Sequence, residues 1–137
     1  MQGYNVIAVY NEISDQWLMC KRKKNPYLGL SNLVGGKIEV GEAGLDAAYR
    51  ELEEETAITP SDIVLSHLMD FTYYFEDCFV EVYVGKLNKA VTPRGDENDL
   101  YWSEPDCDFF DETKYGGEGN IGHIMARILM WRDKVLI

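Results

Sequence analysis

The pattern of apolar and polar positions predicts a chain of short strands combined with two helices. Two runs rich in β-branched and aromatic residues, 4–10 and 16–22, are separated by a short polar segment, which favours a hairpin. Further strand-like runs cover residues 31–34, 63–75, 79–87 and 100–103. Strands interleaved with helices predict an α/β fold, in which a mixed sheet lies between helical layers.

Two segments have helical spacing of their apolar residues. The first predicts a helix over residues 45–56 whose buried face carries Leu45, Ala48, Tyr49, Leu52 and Thr56. The second predicts a helix over residues 121–133, with one side formed by Ile121, Ile124, Met125, Ile128 and Leu129.

The first helix carries a crowded set of glutamates. At about 100° per residue, Glu51, Glu54 and Glu55 share a face, whereas Glu53 points away from them. Such carboxylates repel one another, but Mg²⁺ would turn that repulsion into attraction, because it is held by carboxylates together with substrate phosphates. The alternative is an ordinary solvated helix face. Just ahead of the helix, Gly35 and Gly36 predict a sharp backbone turn with an accessible carbonyl.

Composition narrows the possible functions. The 137 residues, 46% of them hydrophobic, predict a single domain over residues 1–137. A formal net charge of −11 argues against a nucleic-acid polymer as the partner. Three widely spaced cysteines fit reduced thiols in a cytosolic protein, and no run approaches the roughly 18 apolar residues of a membrane span. We therefore expect a cytoplasmic location and no membrane partner.

The spacing around the glutamates resembles the signature of the Nudix hydrolases. Five residues separate Gly36 from Glu42, seven more separate Glu42 from Arg50, and the stretch Arg-Glu-Leu-Glu-Glu-Glu-Thr-Ala-Ile follows without a gap. One fixed position differs, because Ala57 stands where the family has glycine. The resemblance implies the α/β/α sandwich of that family.

The same resemblance implies a site that binds Mg²⁺ or Mn²⁺. Its metal ligands would be the carboxylates of Glu51, Glu54 and Glu55 and the carbonyl of Gly36. Arg50 would orient the glutamates, with Glu42 as its partner. The general base would be Glu54, with Glu51 as the competing choice. Glu97, in the loop before Trp102, is the candidate for a further acidic group, and its alternative is a solvated loop charge.

The substrate of a Nudix enzyme is a nucleoside diphosphate linked to another group. Residues 118–128 resemble the MutT type, in which an asparagine ahead of the last helix reads an oxidised guanine. Asn120 is the matching residue, and its alternative role is an N-cap. Arg22 would meet the base or the phosphates, and Tyr73 would stack on a base or serve packing. We therefore expect a nucleoside triphosphate, such as oxidised dGTP, to be split into monophosphate and pyrophosphate.

Other substrates and roles stay open at this point. ADP-ribose enzymes carry a proline beyond the signature at the position where this chain has Tyr73. Dinucleoside polyphosphate enzymes carry a tyrosine near the position of Phe75. The alternatives are hydrolysis of ADP-ribose, a nucleotide sugar or a dinucleoside polyphosphate, or a non-catalytic nucleotide-binding sensor. The protein would be a monomer or a homodimer.

Overall fold

The computed structural model describes residues 1–137 and contains seven strands and three helices. In chain order these are β1 Gln2–Asn11, β2 Gln16–Lys21, β3 Ser31–Asn32, β4 Val34–Lys37, α1 Gly44–Thr56, β5 Ser66–Tyr73, β6 Cys78–Lys86, β7 Asp99–Ser103, α2 Asn120–Met130 and α3 Arg132–Val135. None of the helices has the length and apolar character needed to cross a membrane.

The strands form one mixed sheet. Its order is β3-β2-β1-β6-β5, with β4 paired to β1 and β7 paired to β2. The pairing of β1 with β6 is parallel, and the other strand pairs are antiparallel. The predicted hairpin is confirmed by the pairing of Tyr10 with Trp17. The first half of β1 pairs with β4, so the long first strand reaches the segment that precedes α1.

Helices cover both faces of the sheet, which confirms the predicted α/β/α sandwich. On one face, Ile7 and Val9 of β1 pack in a buried cluster with Leu52 of α1. On the other face, Ala8 of β1 packs in a second cluster with Ile128 of α2. Successive residues of β1 thus alternate between the two cores, as the pleat of a strand requires.

The glycine pair does not form the predicted turn. Gly35 and Gly36 lie inside β4 and pair with Val6 and Asn5 of β1. A Cβ on Gly35 would collide with the backbone carbonyl of Asn5, and a Cβ on Gly36 would collide with the carboxyl group of Glu51. The pair is therefore required by close approach of a strand and of a side chain, and not by a change of chain direction.

Several element ends and buried positions also differ from the prediction. The second helix ends at Met130 and is followed by the short α3. Leu129 is 64% exposed and Leu45 is 43% exposed, because each is rotated away from the narrow stripe that its helix buries. The run 63–75 gives a strand only over Ser66–Tyr73, and Phe75 is fully exposed in the turn that follows.

Candidate active site

Arg50 connects the glutamates of α1 to the loop that precedes the helix. Its Nε and Nη2 donate to the two carboxylate oxygens of Glu42 at 2.7 and 2.9 Å. Its Nη1 donates to Glu51 Oε1 at 3.0 Å and to Glu54 Oε2 at 3.2 Å. A further bond reaches the carbonyl of Lys37 at 3.0 Å. The guanidinium thus contacts both glutamates and ties the loop to the helix, which is the arrangement that the Nudix resemblance implies for Arg50.

The glutamates of this helix face different environments. The side chain of Glu51 is 14% exposed and that of Glu54 is 59% exposed. Burial raises the pKa of Glu51, and the hydrogen bond from Arg50 opposes that shift. Burial also raises the pKa of Glu55 to about 7, while the backbone amide of Gly35 lowers it. Glu53 is exposed, as predicted.

Glu97 lies close enough to this group to affect its ionisation. Its charge raises the pKa of both Glu55 and Glu51, and the charge of Arg22 lowers the pKa of Glu55. Glu97 itself is exposed in the loop before β7. The structure therefore brings a loop carboxylate to the same place as the helix carboxylates.

A cavity of about 600 Å³ opens beside these carboxylates. Its walls come from β1, β4, the ends of β5 and β6, and the start of α2. Gly36 lies on its wall, so the cavity reaches the edge of the glutamate cluster. Arg22 and Lys37 supply positive charge in the lining, next to aromatic and aliphatic side chains.

The three residues predicted to contact substrate all line this cavity: Arg22, Tyr73 and Asn120. Asn120 is the first residue of α2, and its amide nitrogen donates to the hydroxyl of Tyr73. The N-cap is Gly119, so the alternative role of Asn120 as an N-cap is wrong. Arg22 donates from Nε to the carbonyl of Pro26 at 2.8 Å, which holds its guanidinium at the mouth of the loop after β2.

Three further residues in the lining were not predicted. Tyr27 donates its hydroxyl to both carboxylate oxygens of Glu118 at 2.8 Å, which joins two loops on the cavity wall. Asn5 is 2% exposed and accepts a bond from the amide of Gly36 at 3.0 Å. The sequence contains a signal for Asn5 alone, because it is a polar residue inside the apolar run of β1. Tyr27 and Glu118 are 91 positions apart, and no local pattern connects them.

A separate cluster lies on β5 and β6. His67, Asp70 and Glu81 each place one ligand-type atom within 4.8 Å of the others. His67 Nε2 lies 2.6 Å from Asp70 Oδ1, so this histidine is hydrogen-bonded. The cluster lies outside the Arg50 network.

The donor chemistry around Gly36 suits a hard divalent cation. Glu97 disfavours ionisation of Glu51 and Glu55, and Glu51 disfavours that of Glu55. The cationic groups beside them are Arg50 at Glu51 and Arg22 at Glu55. Oxygen donors that repel one another are the set that Mg²⁺ and Mn²⁺ prefer. The cavity beside them is large enough for a nucleotide.

Comparison with known proteins decides the family. The family model for the NUDIX domain matches residues 1–111. The chain belongs to the Nudix family. The assignment from the spacing of Gly36, Glu42, Arg50 and the glutamates is thereby confirmed, and the hydrolase class follows from it.

Several individual proteins are similar to this Nudix chain. The chain is 43% identical over 49 residues to an ADP-ribose pyrophosphatase of Methanocaldococcus jannaschii, a stretch that covers 36% of this chain and 29% of that protein. A MutT structure from work on Aliivibrio salmonicida and Vibrio cholerae superposes with a TM-score of 0.70, 19% identity and coverage of 93% and 96% of the two chains. The NUDIX domain of Shewanella oneidensis NrtR, complexed with ADP ribose, superposes with a TM-score of 0.71 and 16% identity. The match covers 93% of this chain and 86% of that one.

These relatives differ in what they show. The solved structures establish the Nudix fold for this chain, and their low identity carries nothing further. The curated relative acts on ADP-ribose by its name, although this chain spans only 29% of its length.

Proposed function

We propose that this protein is a Nudix hydrolase that uses Mg²⁺ or Mn²⁺ to cleave the diphosphate of ADP-ribose or a related nucleoside diphosphate derivative. The observation that carries the proposal is the position of Gly36, which lies at once against the carboxyl of Glu51 and on the wall of the nucleotide-sized cavity. A diphosphate that spans this wall brings its phosphorus atoms to the carboxylates while its nucleoside occupies the cavity.

Different residues of the chain have different roles in the proposed reaction. Glu51, Glu54, Glu55 and the carbonyl of Gly36 would hold the cation, which when bound polarises a phosphoryl oxygen and lowers the pKa of coordinated water. Arg50 fixes Glu51 and Glu54 through its bonds of 3.0 and 3.2 Å. Glu54 is more exposed than Glu51, so its carboxylate more readily accepts a proton and returns it to solvent. Glu97 adds negative charge beside Glu55 and completes the donor set.

The cavity supplies binding for the rest of the substrate. Arg22 and Lys37 offset the negative charge of a diphosphate in a protein whose net charge is −11. Tyr73 offers an aromatic face for a base, and Asn120 fixes its hydroxyl. The match to an ADP-ribose pyrophosphatase supports adenosine diphosphate derivatives as the substrate class.

A nucleoside triphosphate such as oxidised dGTP is the second candidate. The specific observation in its favour is Asn120, whose side chain lies in the cavity at the position that the MutT resemblance assigns to base reading. A carboxamide offers both a donor and an acceptor to a purine edge.

Product analysis separates these functions. The purified protein is incubated with Mg²⁺ or Mn²⁺ and, separately, ADP-ribose, a nucleotide sugar, a dinucleoside polyphosphate, dGTP and oxidised dGTP. We expect AMP and ribose 5-phosphate from ADP-ribose at the highest kcat/KM. Monophosphate and pyrophosphate from a triphosphate as the best reaction would establish the second candidate. Tight binding of ADP-ribose with no hydrolysis would contradict the proposal and establish a sensor.

A further inference from the structure

Asn5 carries an unpaired polar group in the middle of the protein. The residue is 2% exposed, and its Oδ1 accepts a hydrogen bond from the amide of Gly36 at 3.0 Å. That bond fixes the orientation of the carboxamide, because an amide N–H needs an oxygen acceptor. The other end of the side chain, Nδ2, is buried and has no hydrogen-bond partner. An unsatisfied buried donor weakens the folded state, so its presence needs an explanation.

The side chain of Asn5 lies on the α1 side of the sheet. Residues 5, 7 and 9 of β1 share one face, and Ile7 and Val9 pack in the core beneath α1. Gly36, the partner of Asn5 across the strands, lies against the carboxyl group of Glu51 on that side. Asn5 is therefore next to the metal-type carboxylates although it is far from them in sequence.

Glu51 offers an acceptor at the same place. Its Oε1 accepts from Arg50 at 3.0 Å, whereas Oε2 bonds to no protein donor. The carboxyl of Glu51 and the carboxamide of Asn5 thus both lie against Gly36, the first where a Cβ would be and the second at the amide. Only glycine leaves room there for the Glu51 carboxyl.

We propose that Asn5 is a positioning residue of the metal centre, which holds the Gly36 backbone through Oδ1 and offers its unpaired Nδ2 donor to the carboxylate of Glu51. The inference rests on the cation site of the proposed function and adds to it a residue from outside the Nudix signature. Asn5 does not touch the cation or the substrate. It acts through two groups that bind the cation, as the hydrogen-bonded neighbours of metal ligands do.

One competing acceptor lies on the other side of Asn5. Glu81 of β6 is in register with Asn5 on the same face, and its Oε1 already accepts from the hydroxyl of Tyr83 at 2.7 Å. Glu81 contacts neither Arg50 nor Gly36. It provides the control, because its substitution changes a carboxylate beside Asn5 without touching the proposed metal ligands of α1. A cation held by Glu81 with His67 and Asp70 would appear as a separate binding event that this variant alone loses.

The test measures cation binding without substrate. Mn²⁺ affinity is determined by calorimetry for the parent, Asn5→Leu, Asn5→Asp and Glu81→Gln, and the melting temperature of each metal-free protein is recorded. Asn5→Leu removes both functions of the amide at similar size. Asn5→Asp keeps the acceptor for Gly36, loses the donor, and adds a charge that by itself would favour a cation.

We expect both Asn5 variants to bind Mn²⁺ about 10–100-fold more weakly. Glu81→Gln should bind it as the parent does. Parent affinity in either folded Asn5 variant, with only the melting temperature changed, would reduce Asn5 to a packing role and overturn the inference. If Glu81→Gln weakened Mn²⁺ binding equally, Glu81 would be the acceptor for Asn5 Nδ2, and this too would overturn the inference. A parent that binds no Mn²⁺ would instead refute the proposed function.

Discussion

Arg50 and Glu42 are joined by two nearly parallel hydrogen bonds of 2.7 and 2.9 Å. Paired bonds of this kind between a guanidinium and a carboxylate are stronger and more directional than a single ion pair. Glu42 thereby fixes the plane from which the remaining guanidinium nitrogen reaches Glu51 and Glu54. The position of two glutamates of the proposed metal site depends on a third glutamate that precedes the helix.

We predict that Glu42→Gln lowers kcat/KM by about 10–100-fold, because Arg50 then loses the charged half of its anchor and no longer holds the two glutamates rigidly. Steady-state kinetics at saturating Mg²⁺ measures the loss. Glu39→Gln is the matched control, since Glu39 lies exposed in the same loop and contributes only its backbone to Glu42. Equal losses in the two variants would show a general effect of charge in this loop.

Glu54→Gln is expected to reduce turnover by about a hundredfold or more while the fold is retained, since the variant loses the proposed base and a metal ligand. Circular dichroism checks the fold, and product formation measures turnover. Glu53→Gln changes the neighbouring, exposed glutamate and should leave turnover unchanged. Activity of Glu54→Gln within tenfold of the parent would rule out both roles.

The metal should stabilise the folded protein through the same carboxylates. A cation that binds only the folded state adds about 2.7 kcal/mol at a concentration a hundred times its dissociation constant. The melting temperature should therefore rise with Mg²⁺ or Mn²⁺. In the double variant Glu51→Gln and Glu55→Gln the metal-free protein should melt no lower than the parent, because repulsion is relieved, and added metal should have little effect.

Simple screening of the net charge of −11 would also raise the melting temperature. Na⁺ at matched ionic strength is therefore measured alongside the divalent cations. The same rise for parent and double variant would assign the effect to the surface as a whole.

Ala57→Gly should stabilise the protein by up to about 1 kcal/mol. Ala57 ends α1 with φ 64° and ψ 11°, a left-handed conformation that a Cβ disfavours. The residue is exposed, so its methyl group contributes little packing. Chemical denaturation gives the difference, and Ala90→Gly, at an exposed loop position without positive φ, should destabilise slightly. A loss of stability in Ala57→Gly would contradict the strain.

Asp62 should make stability depend on pH in the acid range. It accepts from the amide of Thr59 at 2.8 Å and pairs with Lys89 at 3.0 Å, and these contacts lower its pKa, the Thr59 amide most strongly. A lowered pKa means that the stabilisation is present above the ordinary value, about 4, and is lost as the pH falls through the value in the folded protein.

The measurement for Asp62 compares melting temperatures across the acid range. Asp62→Asn should melt lower than the parent at neutral pH, and the difference should shrink as the pH falls below about 4. Asp106→Asn, at an exposed position without such contacts, should show no such convergence. A constant difference for Asp62→Asn would show that its ionisation is not responsible.

The sequence predicts the layers of this fold well because its local patterns are strong. The run of β-branched and aromatic residues in β1 is buried between two cores, and the helical spacing in α1 reflects one buried face, so the sequence predicts both elements. The glycine pair was assigned to a turn because sequence alone shows the absence of a side chain and not what occupies the space. Only the structure shows that Gly36 faces Glu51 and Gly35 faces Asn5.

The parts of the site that lie close together in the sequence are easier to predict than the parts that lie far apart. Glu42, Arg50 and the helix glutamates lie within one short segment, and their spacing alone indicates their grouping. The link from Asn120 to Tyr73 spans 47 positions, and that from Tyr27 to Glu118 spans 91. Such contacts depend on how the loops pack, which composition and periodicity do not encode. These distant pairs line the cavity, so the shape of the cavity is the least predictable part of the site.

The parallel pairing of β1 with β6 has a consequence for how the chain is made. Gln2 pairs with Cys78 and Tyr10 with Lys86, so β1 leaves the ribosome long before its partner exists. In that interval one edge of an apolar strand exposes its amide and carbonyl groups, and such edges recruit other chains. We therefore expect this edge of the first strand to stay open to pairing with other chains until residue 86 has emerged.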